Sequence, residues 1–200
     1  MCKAKISVRY ILVEIVCAVL AVMILTRWGM SWATLLVSIG TCGIVVNSLT
    51  DIESGEVLDV FSITPGVLAL VIRIAGGKWA VLDGVAGALI GWGIFAAIIF
   101  LSRGGMGWGD AVFMCGMGAV LGWRLTLLAF YLGIMTGGVW AIALLIIGRV
   151  KWGRHDSLPL VPFLAVGCFA AMIWGVEIFA WLTERMRYYD VFIISWPFTL

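Results

Sequence analysis

The sequence predicts an all-α protein, a polytopic membrane bundle of about seven segments, one of them short. Three observations support this fold class. Of the 200 residues, 64% are hydrophobic and only 12% are charged, which is more apolar surface than a soluble domain of this length can bury. Apolar segments of membrane length recur along the chain between short polar stretches. The 11 tryptophans are typical of the aromatic belts at membrane interfaces.

The hydropathy pattern places the seven candidate spans at about 8–26, 31–50, 57–75, 81–101, 110–122, 125–148 and 158–182. At about 1.5 Å per residue, the fifth is too short to cross a bilayer alone. We therefore expect it to be partly re-entrant or shielded by its neighbours. Residues 1–182 are assigned to one membrane domain, and residues 183–200 to a C-terminal interfacial tail.

Glycines four residues apart predict close packing of helix backbones within the bundle. The pairs are Gly87/Gly91, Gly118/Gly122 and Gly133/Gly137.

Several charged residues inside or beside the spans are interpreted as structural. Glu14, in the first span, is expected to pair inside the bundle, because an unpaired carboxylate at depth is costly. Arg73, Lys78 and Asp83 surround the turn between spans three and four, where long side chains can snorkel to the interface. Glu177 lies towards the interface opposite the candidate site described below. No chemistry is assigned to these residues.

Composition also excludes several classes of function. A net charge of +2 gives no indication of nucleic-acid binding. Five scattered cysteines and a single histidine, His155, do not match a metal-ligand pattern or a serine triad. The sequence therefore predicts neither a metal site nor a cofactor.

Two aspartates lie at span ends on the same side of the membrane. Asp51 ends the second span and Asp110 begins the fifth, so alternating spans bring them to one interface. Two carboxylates that share a proton can activate water. The run "GGMGWGDAVFMCG" (104–116) places Gly107 and Gly109 where they could line an extended substrate. The alternative interpretation is a flexible turn with Asp110 as a helix cap.

Four motifs resemble those of the type IV prepilin peptidases, in the same order and over nearly the whole chain. "GMGWGDAVFMCGMGAVLGW" (105–123) resembles the family's GxGD signature, and "TDIESGEVLDVFSITPGVLAL" (50–70) resembles its first catalytic stretch. "KISVRYILVE" (5–14) and "LPLVPFLAVG" (158–167) are similar to its two remaining motifs.

The resemblance implies a multi-pass aspartic endopeptidase of the bacterial inner membrane. Such an enzyme removes a short basic leader from prepilins or pseudopilins after a glycine, at the cytoplasmic face, for a pilus or for type II secretion. Asp51 and Asp110 match the family's catalytic pair. Asp59 matches the second acid of the first motif and is not expected to be catalytic; Leu58 stands before it where proline is usual. The partners implied are the substrate and membrane lipid, without nucleic acid; the oligomeric state stays open.

The acidic loop 51–59 suggests how a basic leader would be attracted. Asp51, Glu53, Glu56 and Asp59 give it a local charge of −4, with no basic residue among them. Glu53, Glu56 and Asp59 are therefore candidate substrate-binding residues. The alternative is a solvated loop whose charges do little.

The amino terminus departs from the resemblance. Longer family members carry a cytoplasmic region with two Cys-x-x-Cys pairs that is associated with zinc and methyl transfer. Here Cys2 stands alone, and one thiol cannot form a tetrahedral zinc site. We expect a short form of the family, with proteolysis independent of zinc and without methyltransferase activity.

Three other functions remain open from the sequence. A small proton-coupled transporter or channel could use Asp51 and Asp110 as a relay, although both lie at span ends and no inverted repeat is visible. A catalytically silent scaffold and a presenilin-like intramembrane protease are the others. Lys and Arg number seven on the side of the aspartates and six on the other, so charge alone leaves the orientation open.

Overall fold

The structure is a computed structural model that describes residues 8–102, 106–147 and 159–184. The described residues form seven helices and no strand, which confirms the predicted all-α class. In chain order the helices are α1 (Val8–Trp28), α2 (Trp32–Ser54), α3 (Asp59–Ala75), α4 (Lys78–Leu101), α5 (Trp108–Leu121), α6 (Trp123–Ile146) and α7 (Val161–Glu184).

Five of these helices, α1, α2, α4, α6 and α7, are long and apolar enough to cross a membrane. The chain is therefore a multi-pass membrane protein. Helices α3 and α5 are shorter, with 17 and 14 residues. Each helix is followed by one that runs back in the opposite direction, so the bundle has two ends.

Contacts between helix termini define the two ends. Arg9 near the start of α1 pairs with Glu53 at the end of α2. At the same end, the rings of Phe100 and Trp108 pack edge to face where α4 ends and α5 begins. This is the site end, because Asp51 and Asp110 lie there. At the opposite end, Arg27 of α1 pairs with Glu177 of α7.

Helix α5 occupies the centre of the bundle. It contacts α2, α3, α4, α6 and α7, and most of its side chains from Ala111 onwards are buried. The neighbouring helices thus shield this short segment. Of the two possibilities expected from the sequence, a re-entrant segment or one shielded by its neighbours, the structure shows the second. A helix of this length can remain at membrane depth because neighbouring helices, and not lipid, contact most of its length.

Close approach of helix backbones depends on glycine, as predicted. A Cβ atom added at Gly118 would overlap the carbonyl oxygen of Gly87, and one added at Gly91 would overlap that of Met114. These contacts join α4 to α5. A second contact, between Gly66 of α3 and Gly116 of α5, was not predicted.

Helix α1 lies at the edge of the bundle, and the prediction for Glu14 is wrong. Ile24 is the one buried side chain of α1. Glu14 is exposed on the surface of this helix and does not point into the bundle. A partner inside the bundle would require other helices around the first span, whereas α1 is largely exposed.

The predicted C-terminal tail falls almost wholly outside the described residues. Helix α7 continues to Glu184, and residues 185–200 are not described.

Candidate functional site

Asp51 is buried in the last turn of α2, with 9% of its surface exposed. Its Oδ2 accepts a hydrogen bond of 3.0 Å from the backbone N–H of Val161, the first residue of α7. This N–H is one of the donors that a helix cannot satisfy internally. The carboxylate is thereby oriented by a helix amino terminus.

Asp110 lies half-buried in the first turn of α5, three residues after the N-cap residue Gly107. The N-cap position therefore belongs to Gly107 and not to Asp110. Helices α2 and α5 contact one another, with Asp51 in the last turn of α2 and Asp110 in the first turn of α5. The structure thus brings together two acids that are far apart in sequence, in a setting where like charges do not both ionise easily.

The two glycines before Asp110 have different surroundings. Gly107 is exposed, and a Cβ added there would lie 3.9 Å from Asp110 Oδ2. Gly109 packs against the loop between α2 and α3, so that an added Cβ would lie 2.8 Å from Val57 Cβ. Gly109 therefore has a packing role within the chain, whereas Gly107 presents open backbone beside the carboxylate.

Three further acidic side chains follow Asp51 in the α2–α3 region. Glu53, Glu56 and Asp59 are all exposed. Glu53 Oε1 accepts a hydrogen bond of 3.3 Å from Arg9 Nη1. The loop itself contains no basic residue, but α1 supplies a basic partner for Glu53 from 44 residues away.

Comparison with known proteins identifies the family of this chain. A family model described as the type IV leader peptidase family matches residues 38–142, which is more than half of the chain. The chain belongs to the type IV leader peptidase family. The matched range contains both aspartates, the acidic loop and the glycine run before Asp110.

Several curated relatives in this family are named prepilin leader peptidase/N-methyltransferase. The chain is 29% identical over 187 residues to the protein of Aeromonas salmonicida (strain A449), and 31% identical over 185 residues to that of Pseudomonas putida. Each match covers 90% of this chain and 63% of the relative. The chain thus spans less than two thirds of these relatives' length. No solved structure matches it.

Asn47, one turn before Asp51 on α2, is a site residue that the sequence analysis missed. It is fully buried, and its Oδ1 accepts a hydrogen bond of 2.8 Å from the backbone N–H of Leu58. Its Nδ2 donates to Ser62 Oγ at 3.2 Å. A proline at position 58 would have no N–H to make the first bond. An asparagine four residues before the aspartate, on the same helix face, was the available signal.

Arg73 is the second residue that the sequence analysis misjudged. Only 1% of its surface is exposed, and its guanidinium group bonds within the bundle. The prediction that it snorkels to the interface is therefore wrong. Lys78, in contrast, is exposed and stacks over the ring of Trp79.

Within the described ranges, no three His, Cys, Asp or Glu side chains gather into a set that could hold a metal ion. Cys2 and His155 lie outside the residues that the structure describes.

Proposed function

We propose that this chain is an aspartic endopeptidase that removes the basic leader of prepilins or pseudopilins after a glycine. The observation that carries the proposal is the position of Asp51 and Asp110 at one end of the bundle, on two helices that contact one another. Family membership supports a prepilin as the substrate. The second activity in the relatives' name is not part of the proposal.

The proposed chemistry requires one carboxylate to be ionised and the other protonated. The ionised group takes a proton from water as the water oxygen attacks the scissile carbonyl, while the protonated group donates a hydrogen bond to the carbonyl oxygen. Collapse of the tetrahedral intermediate breaks the C–N bond, and the leaving amine receives the proton that the ionised carboxylate took from water. Asp51 is held by Val161 on one oxygen, which fixes its orientation for this exchange.

The substrate would enter beside Gly107, where backbone without a side chain lies next to Asp110. An extended peptide can lie close to such backbone. We place this end of the bundle at the cytoplasmic face of the inner membrane, because the basic leader of a prepilin lies there before cleavage. The exposed acids Glu53, Glu56 and Asp59 would then face the leader.

The test is cleavage of a prepilin from the same cell by the intact protein, in detergent or in lipid vesicles. We expect one cut, immediately after the glycine that ends the leader, read as the mass of the product. A prepilin with that glycine replaced should stay uncut. A cut inside the apolar helix of the pilin would instead favour an intramembrane protease. Proton flux without any cleavage would favour a transporter.

The acidic residues provide a separate prediction about affinity. Converting Glu53 and Glu56 together to glutamine should raise KM for a basic leader by about 2- to 30-fold at low salt, with kcat unchanged, since exposed charge pairs contribute roughly 0.2–1 kcal/mol each. The increase should shrink as salt is added. Glu177→Gln, at the opposite end, is the matched control. An unchanged KM at low salt would remove the acidic patch from substrate binding.

A further inference from the structure

A buried arginine ties the end of α5 to two other helices, at the end of the bundle opposite the site. Arg73 of α3 donates from Nη2 to the carbonyl oxygen of Val120 in α5, at 3.0 Å. From Nη1 it donates to Asp83 Oδ2 at 2.9 Å and to the carbonyl of Ala80 at 3.1 Å, both in α4. One guanidinium group therefore connects α3, α4 and α5.

The end of α5 needs such a partner. The helix stops at Leu121, and Gly122, with a φ of 78°, turns the chain directly into α6. The carbonyl of Val120 is thus among the last four of the helix, which have no N–H partner within it. A cation at this position also complements the helix dipole. Asp83 closes the other side, since a Cβ added at Gly122 would overlap its carboxylate.

The remaining contacts of α5 are mostly non-directional. Gly116 and Gly118 let its backbone lie against α3 and α4, and contacts of this kind lack the distance and angle requirements of a hydrogen bond. Because α5 is one helix of 14 residues, an axial shift at Val120 is carried to Asp110 at its other end.

We propose that Arg73, held by Asp83, is a positioning residue that fixes the depth of α5 and hence the place of Asp110 beside Asp51. The inference rests on the proposed function in that it takes Asp110 to be catalytic. Reaction geometry is sensitive to such shifts, because a displacement of about 1 Å can lower a rate by about 10²-fold.

Two variants disturb Arg73 in different ways, and one glycine offers a matched control. A Cβ at Gly84 would lie 2.8 Å from Arg73 Cδ, so Gly84→Ala displaces the guanidinium group without changing any charge. Arg73→Lys keeps the charge but lacks the fork that reaches both α4 and α5. Gly93, in the same helix as Gly84, has open space where its Cβ would be. Gly93→Ala therefore repeats the chemical change without the displacement.

We expect Gly84→Ala and Arg73→Lys to lower kcat for leader cleavage by about 10- to 100-fold per folded molecule, with KM within twofold of the parent. Gly93→Ala should leave both constants unchanged. A purely structural role would lower the folded yield or the melting temperature and leave kcat per folded molecule intact. That result would overturn the proposal.

A cross-link reports on α5 without depending on the reaction. Cysteines at positions 57 and 109, in a background without the native thiols, should form a disulfide readily. An added Cβ at Gly109 would lie 2.8 Å from Val57 Cβ, and a disulfide requires an opening of only about 1 Å. Adding Gly84→Ala or Arg73→Lys should slow cross-linking by about 5-fold or more, whereas Gly93→Ala should not.

The two readouts separate the two proposals. Cross-linking that stays at the parent rate overturns the positioning role, even if kcat falls. If the parent protein cleaves no prepilin while Gly84→Ala or Arg73→Lys still slows cross-linking, that combination supports the role of Arg73 in placing α5 and rejects the peptidase function.

Discussion

Replacing either Asp51 or Asp110 by asparagine is expected to lower kcat for leader cleavage by about 10³-fold or more, because each change removes a proton donor or acceptor from the reaction. KM should change little, since the carboxylates act on the bond that breaks and the leader is held elsewhere. Asp51→Asn combined with Asp110→Asn should be scarcely worse than either change alone, because groups that act as a unit are not additive.

Asparagine is the informative substitution at position 51. Its side-chain oxygen can still accept the bond that Asp51 Oδ2 receives from the N–H of Val161, so the start of α7 keeps its partner. Alanine would leave that buried donor unsatisfied and would mix loss of folding with loss of chemistry. The asparagine variant therefore removes the acid and keeps the hydrogen bond from Val161.

The measurement is single-turnover cleavage of a prepilin by each purified variant, with folding checked by thermal unfolding in the same detergent. Glu177→Gln makes the same chemical change in the Arg27 pair at the opposite end of the bundle and should keep full activity. A folded Asp51→Asn or Asp110→Asn protein within about 10-fold of the parent rate would show that the catalytic pair is misassigned.

The sequence was sufficient to predict the helices, because in a membrane protein the hydropathy of a segment is the dominant signal for a spanning helix. All seven predicted spans correspond to helices, and the alternation of these spans predicts that Asp51 and Asp110 lie at one end of the bundle. The central position of α5 in the bundle was harder to predict. The run of glycine and small residues in α5 indicated close packing, but whether the segment was re-entrant or shielded depended on its neighbours.

The polar contacts of the site could not be predicted, because they join residues that are distant in sequence. The bond from Val161 to Asp51 spans 110 positions, and the bond from Arg73 to Val120 spans 47. Each depends on how α2, α3, α5 and α7 pack, which no local pattern encodes. Arg73 was misjudged because an arginine near a turn usually reaches water. Here the unsatisfied end of α5 provides a partner inside the bundle.

The second large effect concerns stability. Gly116→Ala is expected to lower the free energy of unfolding by about 3 kcal/mol or more, the upper range for overpacking. A Cβ at Gly116 would overlap the carbonyl oxygen of Ser62 in α3. Since that oxygen belongs to the backbone, relief requires α3 and α5 to separate and cannot come from a rotamer change. Thermal unfolding followed by labelling of the buried thiol of Cys168 measures the loss.

Gly93→Ala again serves as the control, because the same methyl group enters open space in α4. It should leave stability unchanged or raise it by about 0.5–1 kcal/mol through helix propensity. Gly66→Ala, whose Cβ would lie 2.9 Å from the backbone of Gly116, should resemble Gly116→Ala from the other side of the contact. If Gly116→Ala unfolds at the same temperature as Gly93→Ala, then α3 and α5 do not touch at this point.

The same contact links stability to the proposed reaction. Helix α3 begins a few residues after Asp51, and α5 begins two residues before Asp110, so the spacing of these helices also bears on the spacing of the carboxylates. Any Gly116→Ala protein that remains folded should therefore cleave more slowly, with an unchanged KM. Loss of stability at full kcat would mean that α2 and α7, through the bond from Val161 to Asp51, position the pair without help from α3.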